Sequence, residues 1–254
     1  MSTIIFAAGA KGGTGKSTSI CLLTNFLRKQ GFNPLLLDMD NENRTLSRFF
    51  PEAEKVKLDI IDIDGEYSHD EYSNDVLINK ALEGEKLVVA DLKAGTGRGT
   101  LDWWSKLPFS RLSQIKFICL ASINNSPDSV QSFFNWSNVL QNRVSYIVCK
   151  NKRDGVICAD YDESFEGIRF HETTEKLFEV IIPDFKRYMT ELERLNLTVT
   201  EVLDAVEADI NAKTTASGKE ISLELKNLLV RARLEDFQNK IFDQFKPIIN
   251  LLKE

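Results

Sequence analysis

Histidine, cysteine, proline and long apolar runs are all scarce in this chain of 254 residues, and each scarcity narrows what it can do. His69 and His171 stand alone in polar surroundings, so chemistry built on a catalytic histidine is not expected. The four cysteines, Cys21, Cys119, Cys149 and Cys158, have no paired metal-ligand spacing. Three of them fall in apolar segments, which points to buried thiols in a reducing cytoplasm rather than to disulfides. No uninterrupted apolar run approaches the roughly twenty residues that span a bilayer. Nor does the chain open with the basic, apolar and small-residue sequence of a secretory signal. A cytoplasmic location is therefore expected, and a membrane one is not. The net charge of −6 excludes an all-over basic nucleic-acid binder while leaving room for a local basic patch. Hydrophobic residues at 43% and charged residues at 28% fit an ordinary globular protein, and the length suits one α/β domain over 1–254.

What is present is concentrated in residues 11 to 18, Lys11-Gly12-Gly13-Thr14-Gly15-Lys16-Ser17-Thr18. Before them, Thr3-Ile4-Ile5-Phe6-Ala7-Ala8 reads as one buried strand. After them, Ile20, Leu23, Phe26 and Leu27 recur at helical spacing. A glycine-rich turn between strand and helix is the context a phosphate-binding loop needs. Gly12, Gly13 and Gly15 let the backbone turn tightly enough for successive N–H groups to point at phosphate oxygens. The helix N-terminus adds unpaired N–H groups and partial positive charge. Lys16 supplies a full charge near the terminal phosphates, and the Ser17 hydroxyl suits a Mg²⁺ ligand.

Two acid-capped strands follow. Asn33-Pro34-Leu35-Leu36-Leu37-Asp38-Met39-Asp40 ends in two carboxylates that alternation sends to one side, at the edge where parallel sheets bind ligands. Leu87-Val88-Val89-Ala90-Asp91 is a second such strand, with the glycine-rich Leu92 to Gly99 after it. Between them, residues 56–63 read as a short edge strand, 64–75 as a solvated loop and 75–84 as a helix. Further strands are expected at 115–122 and 144–149, each leading into a polar turn, with a helix at 129–140 between them. Asn151-Lys152-Arg153-Asp154 also fits the string by which GTPases read guanine. From Val202 the chain reads as helical, broken near Thr214 to Gly218. Its final amphipathic helix, Leu225 to about Phe245, gathers Leu228, Leu229, Leu234, Phe237, Ile241, Phe242 and Phe245 on one face, with Pro247 interrupting the last turns.

The octet differs from the usual phosphate loop in placing Ala10 where glycine is common and opening on a second lysine. In this it resembles the deviant Walker A motif of the ParA/MinD family of ATPases, and the resemblance extends over roughly residues 1 to 200. It implies an α/β fold of the P-loop NTPase type, a mostly parallel twisted sheet with helices on both faces and a helical C-terminal part at about 202–254. It also implies that Lys11 crosses a homodimer interface to reach the partner's ATP, and that ATP and Mg²⁺ are the ligands. Asp40 is matched to the acid that activates the attacking water. Asp38 and Asp91 are matched to the acids that support Mg²⁺, the latter through a bound water. Asn151 is matched to a base-contacting position, and Pro183, in Val180 to Phe185, to the loop that runs past the base. ATP is preferred over GTP because the octet belongs to the ATPases. Here Asn41 stands where the family often has proline, and Lys93 replaces another common proline.

The function implied is an ATP-dependent switch for partition of a plasmid or chromosome region, or for positioning another large cargo. Its expected partners are a ParB-like or other activating protein and non-specific DNA. Two alternatives stay open: an ATPase serving conjugal transfer or assembly without moving DNA, and a nucleotide-dependent scaffold that does not hydrolyse. Cluster-ligating cysteines and a C-terminal tyrosine cluster, marks of two other branches of the superfamily, are missing.

Overall fold

The computed structural model describes residues 1–9, 12–57, 60–63, 66–69, 71–92, 97–209 and 211–253. Its strands are β1 (Ser2–Ala8), β2 (Leu35–Met39), β3 (Glu54–Lys55), β4 (Ile60–Ile63), β5 (Glu66–His69), β6 (Leu87–Leu92), β7 (Ile115–Ile123), β8 (Ser145–Asn151) and β9 (Leu177–Ile182). Helices α1 (Lys16–Lys29), α2 (Thr45–Phe49), α3 (Glu71–Leu82), α4 (Gly97–Lys106) and α5 (Pro127–Leu140) lie in the first part. Then come α6 (Asp160–Glu163), α7 (Phe165–Thr173), α8 (Lys186–Leu195), α9 (Val199–Ala208), α10 (Leu223–Lys226) and α11 (Leu228–Lys253).

Seven strands form one parallel sheet in the order β3-β2-β6-β1-β7-β8-β9. The near-continuous apolar sequences of β1, β6 and β7 are what a strand covered on both faces requires. One core lies beneath α1, α2 and α8 to α11, and includes Ile5, Ala7, Leu23, Phe26, Val202 and Phe245. The other, beneath α3 to α7, is rich in aromatics: Phe6 stacks on Trp104 with ring centroids 4.1 Å apart. The chain leaves β1 for β2 on one side and later returns to β7 on the other. That reversal places the ligand-binding crevice of an open parallel sheet at the end of β1.

Three local expectations are revised. The edge strand is Glu54–Lys55, paired with Leu37 and Asp38, whereas Ile60–Ile63 pairs with Glu66–His69 in a separate ribbon. The expected loop at 64–75 thus contains a strand and the start of α3; pairing with a neighbour close in sequence closes a short loop at little entropic cost. Second, α11 continues through Pro247 to Lys253. Phe245, Ile248 and Leu251 are buried on either side of the proline and offset its lost hydrogen bond. Third, Leu228 and Leu229 are 72% and 68% exposed, and Val230 and Leu234 begin the buried face instead. Among the described residues, no helix is long and apolar enough to cross a membrane.

Candidate active site

Strand alternation decides which side chains reach the crevice. In β1, Ile5 and Ala7 face the core under α1, while Ile4, Phe6 and Ala8 face the other. In β6, Leu87 and Val89 share the α1 face, so Asp91 points the same way; in β2, Leu36 does so, and with it Asp38. Asp38 and Asp91 are opposite one another across the β2–β6 pairing, and both are fully buried. Ile147 and Cys149 set the same parity in β8, which brings Asn151 to that face.

The loop from β1 to α1 bends at Gly13 and Gly15, whose φ angles of 79° and 94° lie in the left-handed region that side chains resist. Gly15 is the N-cap of α1. A Cβ at that position would meet Asn151 Nδ2 at 2.2 Å, so β8 presses on the loop where only glycine fits. Asn151 Nδ2 donates to the Thr14 carbonyl at 3.1 Å, and its Oδ1 accepts the Arg153 N–H at 3.1 Å. Ser19 Oγ donates to the Gly15 carbonyl at 3.0 Å and lies 2.6 Å from Ser122 Oγ on β7. The loop is therefore tied to two neighbouring strands.

Lys16, 6% exposed, turns its ammonium beneath the loop. It donates to Asp91 Oδ1 and to the Leu92 carbonyl, each at 2.6 Å. Ser17 Oγ donates to the other Asp91 oxygen at 2.9 Å. A cation, a hydroxyl and a carboxylate thus meet where the loop enters α1.

The second acidic element is a tight turn after β2. Asp38 Oδ1 accepts the Asp40 N–H at 3.2 Å, and Oδ2 accepts the Ser47 N–H at 2.8 Å, capping the first turn of α2. Asp40 Oδ1 accepts the N–H groups of Glu42 and Asn43, and Oδ2 accepts the Asn43 amide at 3.1 Å. Burial works against the Asp40 charge, but the Asn43 and Glu42 hydrogen bonds and the Lys16 field outweigh it and lower the pKa from its ordinary 3.8. With three donors on about four acceptor positions, Asp40 keeps roughly one lone pair for a further partner. The unusual Asn41-Glu42-Asn43 is thereby explained: Asn43 closes the turn on Asp40, and Asn41 Oδ1 accepts from Arg44.

A cavity of about 260 Å³ opens above these groups. Gly12 to Thr18 form its floor, and Asp40, Asn43, Thr45, Arg48, Phe49, Arg153 and Glu193 its walls. Asp38, Asp91 and Asn151 stand behind that lining. Pro183, half-buried between β9 and α8, is not among the residues that line it. Lys11 and Lys93 lie outside the described residues. Arg48, Phe49 and Glu193 carry no sequence signal, because they belong to helices whose local pattern is ordinary. Elsewhere, His171 Nε2 lies 3.3 Å from Asp162, near Glu179. There the cation is Lys150, 2.9 Å from Glu179 and 3.7 Å from Asp162.

The site fits a magnesium-bound nucleotide on its own donors. Glycines strip the loop of side chains where phosphate must approach, Lys16 brings charge, and Ser17 with Asp91 offers oxygen ligands of the kind Mg²⁺ takes. Fold and site together define a P-loop nucleotide-binding protein. The profile of the CobQ/CobB/MinD/ParA nucleotide binding domain matches residues 5–223, and the chain belongs to that family. The septum site-determining protein MinD of Pyrococcus horikoshii, solved with Mg-ADP, is 15% identical, with TM-score 0.52 over 99% of each chain. A chain of the MinC:MinD cell division protein complex of Aquifex aeolicus is 16% identical, with TM-score 0.51 over 95% of this chain and 96% of that one. No curated protein matches the chain in sequence.

Proposed function

We propose that this protein is a ParA-like ATPase that works as a molecular switch. The observation that carries the reading is the meeting of Lys16, Ser17 and Asp91 under a glycine loop, with ionised Asp40 across the cavity. The N–H groups of residues 12–18 would bind the phosphates, with the α1 N-terminus behind them. Lys16 would leave Asp91 for phosphate oxygens, freeing that carboxylate to accept from metal-bound water. Mg²⁺, held by Ser17 and through water by Asp38 and Asp91, would spread the negative charge of the terminal phosphates. Asp40, kept ionised, is a weak base, so its task is to orient water in line with the bond to the terminal phosphorus. Water adds to that phosphorus as the bond to the ADP oxygen breaks, giving ADP and phosphate. Asn151 would set the base pocket from behind the loop, with Pro183 beside the base.

The switch would be a homodimer sharing ATP at its interface, with Lys11 reaching across. Its output would be partition or positioning of a large cargo, on non-specific DNA and under a ParB-like or other activating partner. The MinC:MinD complex supports the idea of a partner protein by analogy alone. Light scattering with ATP, with ADP and without nucleotide tests this directly. An ATP-dependent dimer that Asp40→Ala prolongs is the expected result; a monomer under all three conditions removes the switch. Phosphate release in the same samples separates an ATPase from a scaffold that never hydrolyses.

A further inference from the structure

Helix α2 spans five residues, too few to stand by its own hydrogen bonds, yet it supplies Thr45, Arg48 and Phe49 to the cavity wall. It is held from both ends. Asp38 accepts the Ser47 N–H at its start. At its finish, Lys219 Nζ donates to the Phe49 carbonyl at 2.6 Å, satisfying an acceptor that a helix end leaves unpaired.

Lys219 is itself fixed. It belongs to a hairpin closed by the Thr214–Glu220 bridge and by Thr215 N–H on the Lys219 carbonyl at 2.8 Å. Its ammonium also donates to Glu201 Oε1 on α9 at 2.9 Å, an oxygen that accepts from Ser217 as well. With its side chain 15% exposed, Lys219 is a strut between the C-terminal region and α2.

Arg48 is the cation that this strut aims. Lys16 is paired with Asp91 and Arg153 with Asp154, whereas the Arg48 guanidinium makes no ion pair or hydrogen bond among the described residues. A guanidinium beside a phosphate-binding loop, with no partner among the described residues, is a fork of donors matched to phosphate oxygens.

We infer that Arg48 is a phosphate contact of this cavity and that Lys219 is its positioning residue, acting through α2. The inference rests on the nucleotide reading above. Calorimetric titration of the full chain with MgADP tests both parts, using Arg48→Ala, Arg48→Lys, Lys219→Met, Lys219→Arg and the double variant Arg48→Ala with Lys219→Met. Losing a charge-assisted contact weakens MgADP about tenfold in Arg48→Ala, and Arg48→Lys recovers only part of it. Lys219→Met is expected to weaken binding several-fold with circular dichroism unchanged, and Lys219→Arg to restore it. In the double variant, the loss should not exceed that of Arg48→Ala alone, since a positioning residue has nothing left to position. Arg48→Ala within twofold of the wild type overturns the phosphate contact, and additive losses overturn the positioning role. A wild-type chain that fails to bind MgADP removes the nucleotide reading and this inference with it.

Discussion

Lys16 lies 2.6 Å from the Asp91 carboxylate, with both side chains almost wholly withdrawn from water. The pair joins the loop to β6 and so cross-braces the site. Removing one partner leaves the other charge buried without compensation. Asp91→Ala is therefore expected to destabilise the fold by about 3 kcal/mol in urea denaturation. A loss below about 1 kcal/mol would show that the Leu92 carbonyl holds Lys16 without the acid.

Gly15 and Asn151 make a second prediction. Gly15→Ala forces a side chain into the left-handed region and against Asn151 Nδ2. The two effects together should cost about 2–4 kcal/mol. Adding Asn151→Ala removes the clash but not the backbone strain, so it should return part of the stability and not all of it. If the second substitution returned nothing, close contact with β8 would not be the reason for glycine here.

Asp40 sets the sign of one pH effect. Its folded pKa lies below the ordinary 3.8, so its contribution to stability is complete above that value and is lost as pH falls through the folded pKa. The wild type should therefore lose stability as pH falls below 3.8 more steeply than Asp40→Asn, which has no proton to take up there. Parallel stability curves for the two proteins would contradict the depressed value.

The thiols provide a check on the core. Burial raises the pKa values of Cys21 and Cys119 and pushes Cys149 up to about 12, while Cys158 is half-buried. Ellman's reagent is expected to label one thiol per chain quickly in the native protein and all four in denaturant. Rapid labelling of a second thiol would mean that α1 or the central sheet opens more readily than its packing implies.

Much of the site could be read along the chain because its parts are local. A glycine-rich loop between an apolar strand and a periodic helix is one continuous segment. Alternation within a strand then places Asp38 on the same face as Leu36 without reference to any other element, whereas Asp40 is set by the turn after β2. The wall opposite the loop was not legible in that way. Arg48 looks like any helical arginine, and it enters the cavity because Asp38 and Lys219, the latter 170 positions from Phe49, hold α2 against the loop. Only the family resemblance points to Asn151, and its hydrogen bond to Thr14 spans 137 positions and depends on β8 lying two strands from β1.

The same division holds for the helices. Periodicity located α11, yet whether Leu228 and Leu229 were inside depended on where the first turn met the sheet, and they lie outside. Pro247 alone argues for a break, but the contacts of Phe245, Ile248 and Leu251 outweigh one missing N–H. Sequence by itself determined the phosphate loop, the acid-capped strands and the α/β class, since each follows from spacing along a few residues. Tertiary structure alone decided which side chains wall the cavity and what holds them there, because those contacts join segments that meet only when strands distant in the chain become neighbours.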